Sequence, residues 1–220
     1  MVSLILDASN GHLSIACFRN DTLISEYNIE CKRNLSEIIL LEIDNVIKKS
    51  GFTKNDLTEI IATRGPGSYT ALRVVLSVAK SLSFALNIPI KTLSTLRLQS
   101  VVNESYNKVV VPLIDGRRGN VYAVAYLDGK EILEENYYSI EFIFDFVNNL
   151  NREIIFVGSD VNKFDYSKLN VDYILKDKHT LAKNYIYVKD YVLATDYYNA
   201  LPSYLRLTEA ERNLINDKNK

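Results

Sequence analysis

Glycine is scarce in this sequence, which has eight glycines among 220 residues, and no two of them are adjacent. Loops that hold the phosphates of a nucleotide need glycine, because their backbone N–H groups must approach the phosphate closely. The spacing Gly-x-x-x-x-Gly-Lys-Ser/Thr is also absent. These absences argue against an enzyme that binds ATP in the usual way on its own.

Histidine and cysteine are equally rare, with two of each. His12 and His179 lie far apart in the chain, so the His-x-x-x-His spacing that binds zinc or iron is not available. Cys17 and Cys31 are too few for a disulfide framework and do not form a Cys-x-x-Cys pair. The sequence therefore predicts no resident metal and no cofactor.

Charge of one sign is also lacking, since 26 basic and 27 acidic residues give a formal net charge of −1. Affinity for nucleic acid comes mainly from neutralising phosphates, so the chain is not expected to hold RNA or DNA on its own. The sequence has no uninterrupted apolar run of membrane length, and no basic residue precedes its first apolar segment. We therefore expect a cytoplasmic protein without membrane contact.

What the sequence does contain is a rigid turn followed by a long apolar helix. Gly65 and Gly67 permit backbone angles that a side chain would forbid, and Pro66 fixes one φ between them. Ser68 is a good N-cap for a helix that runs to Leu86. The structural turn that we predict consists of Arg64, Gly65, Pro66, Gly67, Ser68, Tyr69 and Thr70.

The first half of the chain predicts the element order β-β-β-α-β-α-β-α. Its first three strands and the strand before the turn are Val2–Asp7, Leu13–Phe18, Thr22–Glu30 and Glu59–Thr63. A helix from about Asn34 to Ser50 opens with a capping-box spacing, Asn34 to Glu37, and closes at Gly51. A further helical pattern covers Leu93–Asn103.

The second half repeats this order when Asp115 is placed on Asp7. The repeat predicts a duplicated α/β protein with an N-terminal subdomain at 1–103 and a C-terminal subdomain at 104–220, whose last helix packs back on the first subdomain. Its predicted elements are a strand at Glu131–Tyr138, a helix from Ser139 to Leu150, strands at Glu153–Val157 and Val171–Leu175, a mostly helical segment from His179 to Tyr198, and a last helix at Ser203–Asn216.

A duplicated unit of this kind resembles the actin, Hsp70 and sugar-kinase fold, with two ribonuclease H-like subdomains. The resemblance implies ATP between the halves, with phosphates beside the turns that follow Asp7 and Asp115. Asp7, Ser9 and Asp115 are therefore the candidate cofactor-binding residues. A simpler explanation, which we favour, is that each Asp caps a turn at a strand end.

Several segments spread over nearly the whole chain together resemble the bacterial TsaB (YeaZ) family. They are Ile5-Leu-Asp-Ala-Ser9 with Leu13-Ser-Ile-Ala16, Arg64-Gly-Pro-Gly-Ser-Tyr-Thr70 with Leu72-Arg73, Leu93-Ser-Thr-Leu96, Ile114-Asp-Gly-Arg117 with Val121-Tyr122, and Pro202-Ser-Tyr-Leu-Arg206. One departure is that Cys31-Lys-Arg-Asn34 stands where family members commonly have a histidine.

The resemblance implies a non-catalytic scaffold subunit. It would bind the catalytic subunit TsaD, with the associated ATPase TsaE, in forming N6-threonylcarbamoyladenosine at position 37 of tRNAs that read codons beginning with A. The family also implies a homodimer when TsaD is absent, and contact with tRNA only through the complex.

The same resemblance assigns the partner contact to the two long helices of the first half. Both helices carry more apolar residues than packing on a single sheet requires. Burial on two sides inside the fold explains this surplus as well as a subunit contact does. The partner interface that we predict consists of Leu40, Leu41, Leu72, Leu76, Ala79 and Ser83.

Two other classes of function remain open at this point. A self-sufficient actin-like ATPase or kinase would need a glycine-rich phosphate cradle, which the sequence lacks. A glycoprotease-like peptidase would need an activated nucleophile. Ser68 is not in a Gly-x-Ser-x-Gly elbow and has no histidine near it in the sequence.

Overall fold

Each half of the chain forms one mixed β-sheet. The computed structural model describes residues 1–31 and 34–205. The eleven strands in this part of the chain are β1 (Val2–Asp7), β2 (His12–Arg19), β3 (Thr22–Glu30), β4 (Glu59–Gly65), β5 (Ile90–Ser94), β6 (Val109–Arg117), β7 (Asn120–Leu127), β8 (Lys130–Ser139), β9 (Ile154–Val157), β10 (Tyr173–Lys176) and β11 (Leu193–Thr195).

Five strands of the first sheet and the five strands of the second share one topology, which confirms the predicted duplication. The first has the order β11-β5-β4-β1-β2-β3 and the second has the order β10-β9-β6-β7-β8. In each sheet an antiparallel meander of three strands is extended by two parallel strands. Parallel neighbours need crossover connections, and the helices supply these in the first sheet. The fold is α/β, as predicted.

The helices are α1 (Leu35–Lys49), α2 (Tyr69–Leu86), α3 (Thr95–Gln99) and α4 (Ile140–Asn148). Ser68 is the N-cap of α2 and accepts a hydrogen bond from Ala71 N, as the sequence predicts. Asn87, in the left-handed conformation, ends the helix. The helix expected at Leu93–Asn103 is shorter, because only five residues form α3.

The C-terminal segment corrects the predicted boundary at 104–220. After β10 the chain returns to the first sheet, where β11 pairs with β5 in antiparallel register. The segment His179–Tyr198 is not mostly helical, since it contains two 3-10 turns, Ala182–Tyr187 and Lys189–Tyr191, before β11. Its apolar residues are used to cover a sheet face rather than to form a helix stripe. We call the first sheet with α1, α2 and residues 182–205 the first lobe, and the second sheet with α4 the second lobe.

The first sheet is therefore covered on both faces. One face packs against α1 and α2 in a core that includes Leu4, Leu13 and Ile60. The other face packs Ile5, Phe18 and Ile61 against the returning segment through Ala182, Tyr185 and Val188. Pro202–Leu205 have no regular structure, and the rest of the helix expected at Ser203–Asn216 lies outside the described residues.

The side of α2 that faces the core includes residues that the sequence analysis assigned to a partner. Its buried residues are Leu72, Val75, Leu76, Ala79 and Ser83. Four residues of the predicted partner interface, Leu72, Leu76, Ala79 and Ser83, are thus at most 3% exposed, and the assignment of these four to a partner is wrong. Their side chains are already packed inside the first lobe, which leaves no area for a partner.

α2 is also the one helix in the described part of the chain with the length and composition of a membrane span, with a mean hydropathy of 1.3 over 18 residues. The core helix of a globular lobe meets the same criteria. The contacts of α2 with β1, β4, β5 and α1 agree with that second explanation. The polar residues Arg73, Ser77 and Ser81 lie on its exposed side.

Candidate functional site

The predicted turn at 64–70 is pressed against the first β-hairpin. Gly67 has φ +157°, and a Cβ at this position would lie 2.4 Å from the carbonyl oxygen of Ser9. The backbone N–H of Ser68 donates to that same oxygen at 2.7 Å. The carbonyl oxygen of Arg64 accepts a hydrogen bond from Ser203 N at 2.7 Å. The turn therefore connects the hairpin, α2 and the C-terminal segment.

Asp7 lies at the end of β1 and is 1% exposed. Its Oδ1 accepts hydrogen bonds from Thr63 Oγ1 at 2.5 Å, from Ser9 Oγ at 2.7 Å and from Ser9 N at 3.3 Å. Its Oδ2 has no hydrogen-bond partner in the described residues. Burial raises the pKa of this carboxyl to about 6, against the opposing effect of these hydrogen bonds. Asp7 thus orders the turn that contains Ser9.

Asp115 lies on the opposite side of the cleft between the lobes. Its backbone N–H donates to Asp160 Oδ2 at 2.9 Å, and its Oδ1 accepts from Arg117 N at 2.7 Å. Lys163 Nζ lies 2.7 Å from Asp160 Oδ1 and 3.7 Å from Asp115 Oδ2. The hydrogen bond to Asp160, with the charges of both carboxylates, raises the pKa of Lys163. Lys163 is therefore already paired with two anions.

The cleft between these groups has a volume of about 490 Å³. Asn10 Nδ2 donates to Ser159 Oγ at 2.6 Å and joins the lobes beside it. Four residues that line the cleft use their backbone N–H within the chain, namely Ser9, Ser68, Asp115 and Arg117. A phosphate needs such N–H groups unoccupied. The carboxylates of Asp115 and Asp160 add repulsion, so the residues present do not fit a nucleoside triphosphate.

In the described ranges, 1–31 and 34–205, no group of three or more His, Cys, Asp or Glu side chains is placed to hold a metal ion. Ser68 and His12 line one cavity of about 430 Å³ at the N-terminal ends of α1 and α2. No hydrogen bond between described residues joins them, and Ser68 Oγ accepts from Ala71 N at 3.5 Å. Ser68 acts there as a helix cap rather than as an activated nucleophile.

The two remaining residues of the predicted partner interface lie on the surface. Leu40 is 57% exposed and Leu41 is 58% exposed, although both are large apolar side chains on a regular helix. α1 packs beside α2. The exposed or half-buried residues of α2 include the small or β-branched Thr70, Val74, Ser77, Val78 and Ser81, together with Arg73 and Phe84. We call this surface the α1–α2 face and define it by Leu40, Leu41, Thr70, Val74, Ser77, Val78 and Ser81.

The sequence analysis did not identify Arg97, Gln99, Asp160 and Lys163 as important. Arg97 and Gln99 are 7% and 3% exposed. Gln99 Nε2 donates to Leu113 O at 3.0 Å and to Val157 O at 2.6 Å. The signal in the sequence was that Arg97 and Gln99 lie within an apolar helical segment. A polar side chain buried in such a segment normally has hydrogen-bond partners.

Comparisons with known proteins agree on one family. The family model described as TsaD, tRNA N6-adenosine threonylcarbamoyltransferase, matches residues 27–209. The chain is 28% identical to the tRNA threonylcarbamoyladenosine biosynthesis protein TsaB of Bacillus subtilis, over 98% of both chains. It is 34% identical over 82 residues to the tRNA N6-adenosine threonylcarbamoyltransferase of the same organism, which covers 37% of this chain and 24% of that enzyme.

Solved structures agree with this result. YeaZ from Pseudomonas aeruginosa superposes with a TM-score of 0.73 at 18% identity, over 93% of this chain and 99% of that one. A second structure from that organism, described as an uncharacterized protein with similarity to peptidase YeaZ, gives a TM-score of 0.76 at 20% identity over the same shares of both chains. The fold, the family model and the full-length relative together place this chain in the TsaD family, among its TsaB (YeaZ) members.

Proposed function

We propose that this protein is a non-catalytic scaffold subunit in tRNA threonylcarbamoyladenosine biosynthesis. Its α1–α2 face binds a TsaD-like catalytic subunit, and binds a second copy of this chain when that subunit is absent. A TsaE-like ATPase joins the same assembly, tRNA is contacted through the complex, and the protein acts in the cytoplasm.

The observation that carries this proposal is the exposure of Leu40 and Leu41 beside the outer side of α2. Leu40 and Leu41 are exposed to water at consecutive positions of one helix, which costs free energy. A partner that buries them would recover roughly 25 cal/mol per Å² of apolar area. The small side chains of Ser77 and Ser81 allow the backbone of a partner helix to come close. Two paired helices on each side can form an interface of roughly 1,600 Å² in total.

The cleft supports a role without chemistry of its own. Lys163 is paired with Asp115 and Asp160, and the turn beside Ser9 is closed by Ser68. These contacts order the residues that line the cleft within each lobe. A self-sufficient ATPase or kinase is not favoured by any contact in this cleft.

The test is co-purification of this chain with a TsaD-like subunit, using the variant Leu41→Glu and the double variant Leu40→Glu/Leu41→Glu. Tyr106→Glu is the control, because Tyr106 is 87% exposed and lies on the connection before β6 rather than on the α1–α2 face. A carboxylate buried without a partner costs several kcal/mol, so the double variant is expected to lose co-purification. Its thermal unfolding is expected to match that of the control.

Reconstituted threonylcarbamoyl transfer to tRNA supplies the second readout. We expect transfer to depend on this chain, to fail with the double variant and to persist with Tyr106→Glu. A folded double variant that still binds the partner would show that the docking surface is wrong. Transfer that proceeds equally well without this chain would overturn the scaffold function itself.

A further inference from the structure

A second interlobe cavity, of about 560 Å³, lies on the side of α3. The first lobe and α3 contribute Arg64, Ser94 and Arg97 to its lining. The second lobe contributes Glu131, Glu134 and Glu135 from β8. The volume is within the range of small-molecule sites, roughly 300–1,000 Å³. This cavity shares no residue with the α1–α2 face.

Side chains of opposite charge line this cavity. Arg64 belongs to β4 of the first lobe, Glu131 and Glu134 belong to β8 of the second lobe, and Arg97 of α3 contacts the second lobe through Gly129 O and Tyr126. Among the described residues, none of these four side chains forms an ion pair within 4.0 Å. Opposite charges that line the same cavity normally form ion pairs, because pairing recovers Coulomb energy. These four side chains form none with one another.

Arg97 is held rigidly at the inner end of this space. Its guanidinium carbon lies 3.4 Å from the ring centroid of Tyr191 and 4.3 Å from that of Tyr126. Its Nη2 donates to Gly129 O at 2.9 Å. The side chain is 7% exposed, and its Nε has no hydrogen-bond acceptor in the described residues. A buried cation that lacks an anionic partner is costly, so an anion beside it would be stabilised.

Arg64 shares one feature with Arg97. Its Nε is also buried without an acceptor in the described part of the chain. The nearby carboxyl of Glu135 accepts a hydrogen bond from Ser94 Oγ, where the two lobes touch. Burial raises the pKa of Glu135, and Arg64 opposes that rise. The carboxyl of Glu135 is therefore used in the contact between the lobes, and the Nε–H of Arg64 has no acceptor among the described residues.

A ligand with a single charge does not suit the cavity. A simple anion would meet three glutamates, and a simple cation would meet two arginines and Lys130. A molecule that carries both charges close together can pair with both sets of side chains. Tyr191, Leu193 and Leu205 provide an apolar surface for the rest of such a molecule.

We propose that this cavity binds a small zwitterion of the α-amino-acid type. Its carboxylate lies toward Arg64 and Arg97, and its ammonium group lies toward Glu131 and Glu134. Because Arg64 belongs to the first lobe and the two glutamates belong to the second, the bound zwitterion bridges the lobes and favours their closed arrangement. A free amino acid and the terminal charges of a short peptide present the same chemistry, and the experiment separates them by length.

The test is isothermal titration of the full chain with each of the twenty common L-α-amino acids, and with dipeptides such as Gly-Leu. Propionate and propylamine are the single-charge controls. We expect at least one amino acid to bind at least about tenfold more tightly than either control. Tighter binding of dipeptides than of any free amino acid would assign the site to peptide termini, which supports the zwitterion and fixes its length.

Variants connect the binding to this cavity. The double variant Glu131→Gln/Glu134→Gln is expected to weaken the binding of the amino acid about tenfold or more, because the ammonium group loses both carboxylates. Arg64→Gln is expected to weaken it similarly. Glu141→Gln is the matched control, since Glu141 lies on α4 of the same lobe with a side chain 58% exposed. Its affinity is expected to equal that of the parent chain.

Three results would overturn the proposal. The first is that no amino acid or dipeptide binds or raises the unfolding temperature at about 10 mM, a concentration at which even a weak ligand stabilises a folded protein. The second is that propionate or propylamine binds as tightly as the amino acids. The third is that a folded Glu131→Gln/Glu134→Gln protein keeps its full affinity. None of these results would affect the test of the docking surface.

Discussion

His12 and His179 stack on each other, with ring centroids 3.4 Å apart and planes inclined by 24°. His12 begins β2, and His179 lies in the segment that leaves β10 and returns to the first lobe. Burial lowers the pKa of His12, the neighbouring charge of His179 lowers it further, and Glu30 opposes both effects. The folded protein therefore favours a neutral His12 at the point where the returning segment meets the hairpin.

The stack predicts a loss of stability in acid. Since the pKa of His12 is lower in the folded protein, its contribution is complete above the unfolded value of about 6.5 and is lost as the pH falls through the folded value. In His179→Gln the second charge is absent, so the variant should lose less stability than the parent between about pH 7 and pH 5. Urea denaturation at several pH values measures this difference. Parallel stability curves for the two proteins would contradict it.

The raised pKa of Asp7 predicts the opposite dependence of stability on pH. Its pKa is raised to about 6 in the folded protein, so the stability it contributes is present below the unfolded value of 3.8 and is lost as the pH rises through 6. A rise of this size corresponds to about 3 kcal/mol. Asp7→Asn keeps an acceptor for Thr63 and Ser9 and cannot ionise.

We therefore expect Asp7→Asn to be more stable than the parent at pH 8 and to match it more nearly at about pH 4. The free energy of unfolding of both proteins, measured at each pH, checks this result. Because His12 and Asp7 act over overlapping pH ranges, each effect is read as the difference between a variant and the parent. A difference that does not change with pH would show that Asp7 ionises normally.

Local patterns were sufficient to predict much of the first lobe. The alternation of Val2–Asp7 and its neighbours, Ser68 and Asn34 at the N-cap positions, and the repeat of Asp7 at Asp115 predicted the meander, the two long helices and the duplication. Ser68 caps α2 with its side chain, whereas the side chain of Asn34 forms no cap hydrogen bond, so the capping box expected for α1 does not form among the described residues. These patterns involve residues that are close in sequence, or result from the duplication of one unit. Periodicity and capping are therefore sufficient to detect them.

Contacts between distant segments were not predictable in this way. The three residues of β11 pair with β5 about a hundred positions earlier, and nothing in Leu193–Thr195 indicates that partner. The two histidines were set aside as distant in sequence, yet they stack. α2 is apolar on several sides, so its periodicity alone did not decide whether Leu72 and Leu76 or their neighbours face the core.

The burial of Leu76 predicts a strong effect on stability. Leu76 is 2% exposed in the core of the first lobe, and Leu41 is 58% exposed on α1. Leu76→Ala is expected to lower the free energy of unfolding by about 2–5 kcal/mol through lost contacts and a cavity. Leu41→Ala is expected to change it by no more than about 0.5 kcal/mol. Equal effects of the two substitutions in urea denaturation would contradict the placement of α2.

Gly67 predicts a steric effect in the turn. A Cβ at Gly67 would meet the backbone oxygen of Ser9 at 2.4 Å, whereas a Cβ at Gly119 would have no neighbour within 4 Å. Both residues have positive φ, so Gly119→Ala reports the cost of the backbone conformation alone, about 1–2 kcal/mol. Gly67→Ala is expected to lower the unfolding temperature clearly more than this control does. A smaller or equal shift would mean that the turn and the hairpin separate easily.

The hydrogen bonds of Gln99 predict that this residue stabilises the contact between the lobes. Its Nε2 donates to Leu113 O and Val157 O in the second sheet, and its Oε1 accepts from Thr180 Oγ1 at 3.3 Å in the returning segment. Gln99→Met keeps the side-chain length and removes all three bonds, so we expect a loss of about 1–3 kcal/mol in the free energy of unfolding.

Thr180→Val is the control for Gln99→Met, because it removes only the longest of the three hydrogen bonds and should cost less. Amide hydrogen exchange then separates two causes of the loss. If the substitution weakens the contact between the lobes, exchange should become faster at β6, at β9 and around Thr180 together, since all three segments are hydrogen-bonded to Gln99. Faster exchange confined to α3 would show instead that the substitution weakened only its own helix.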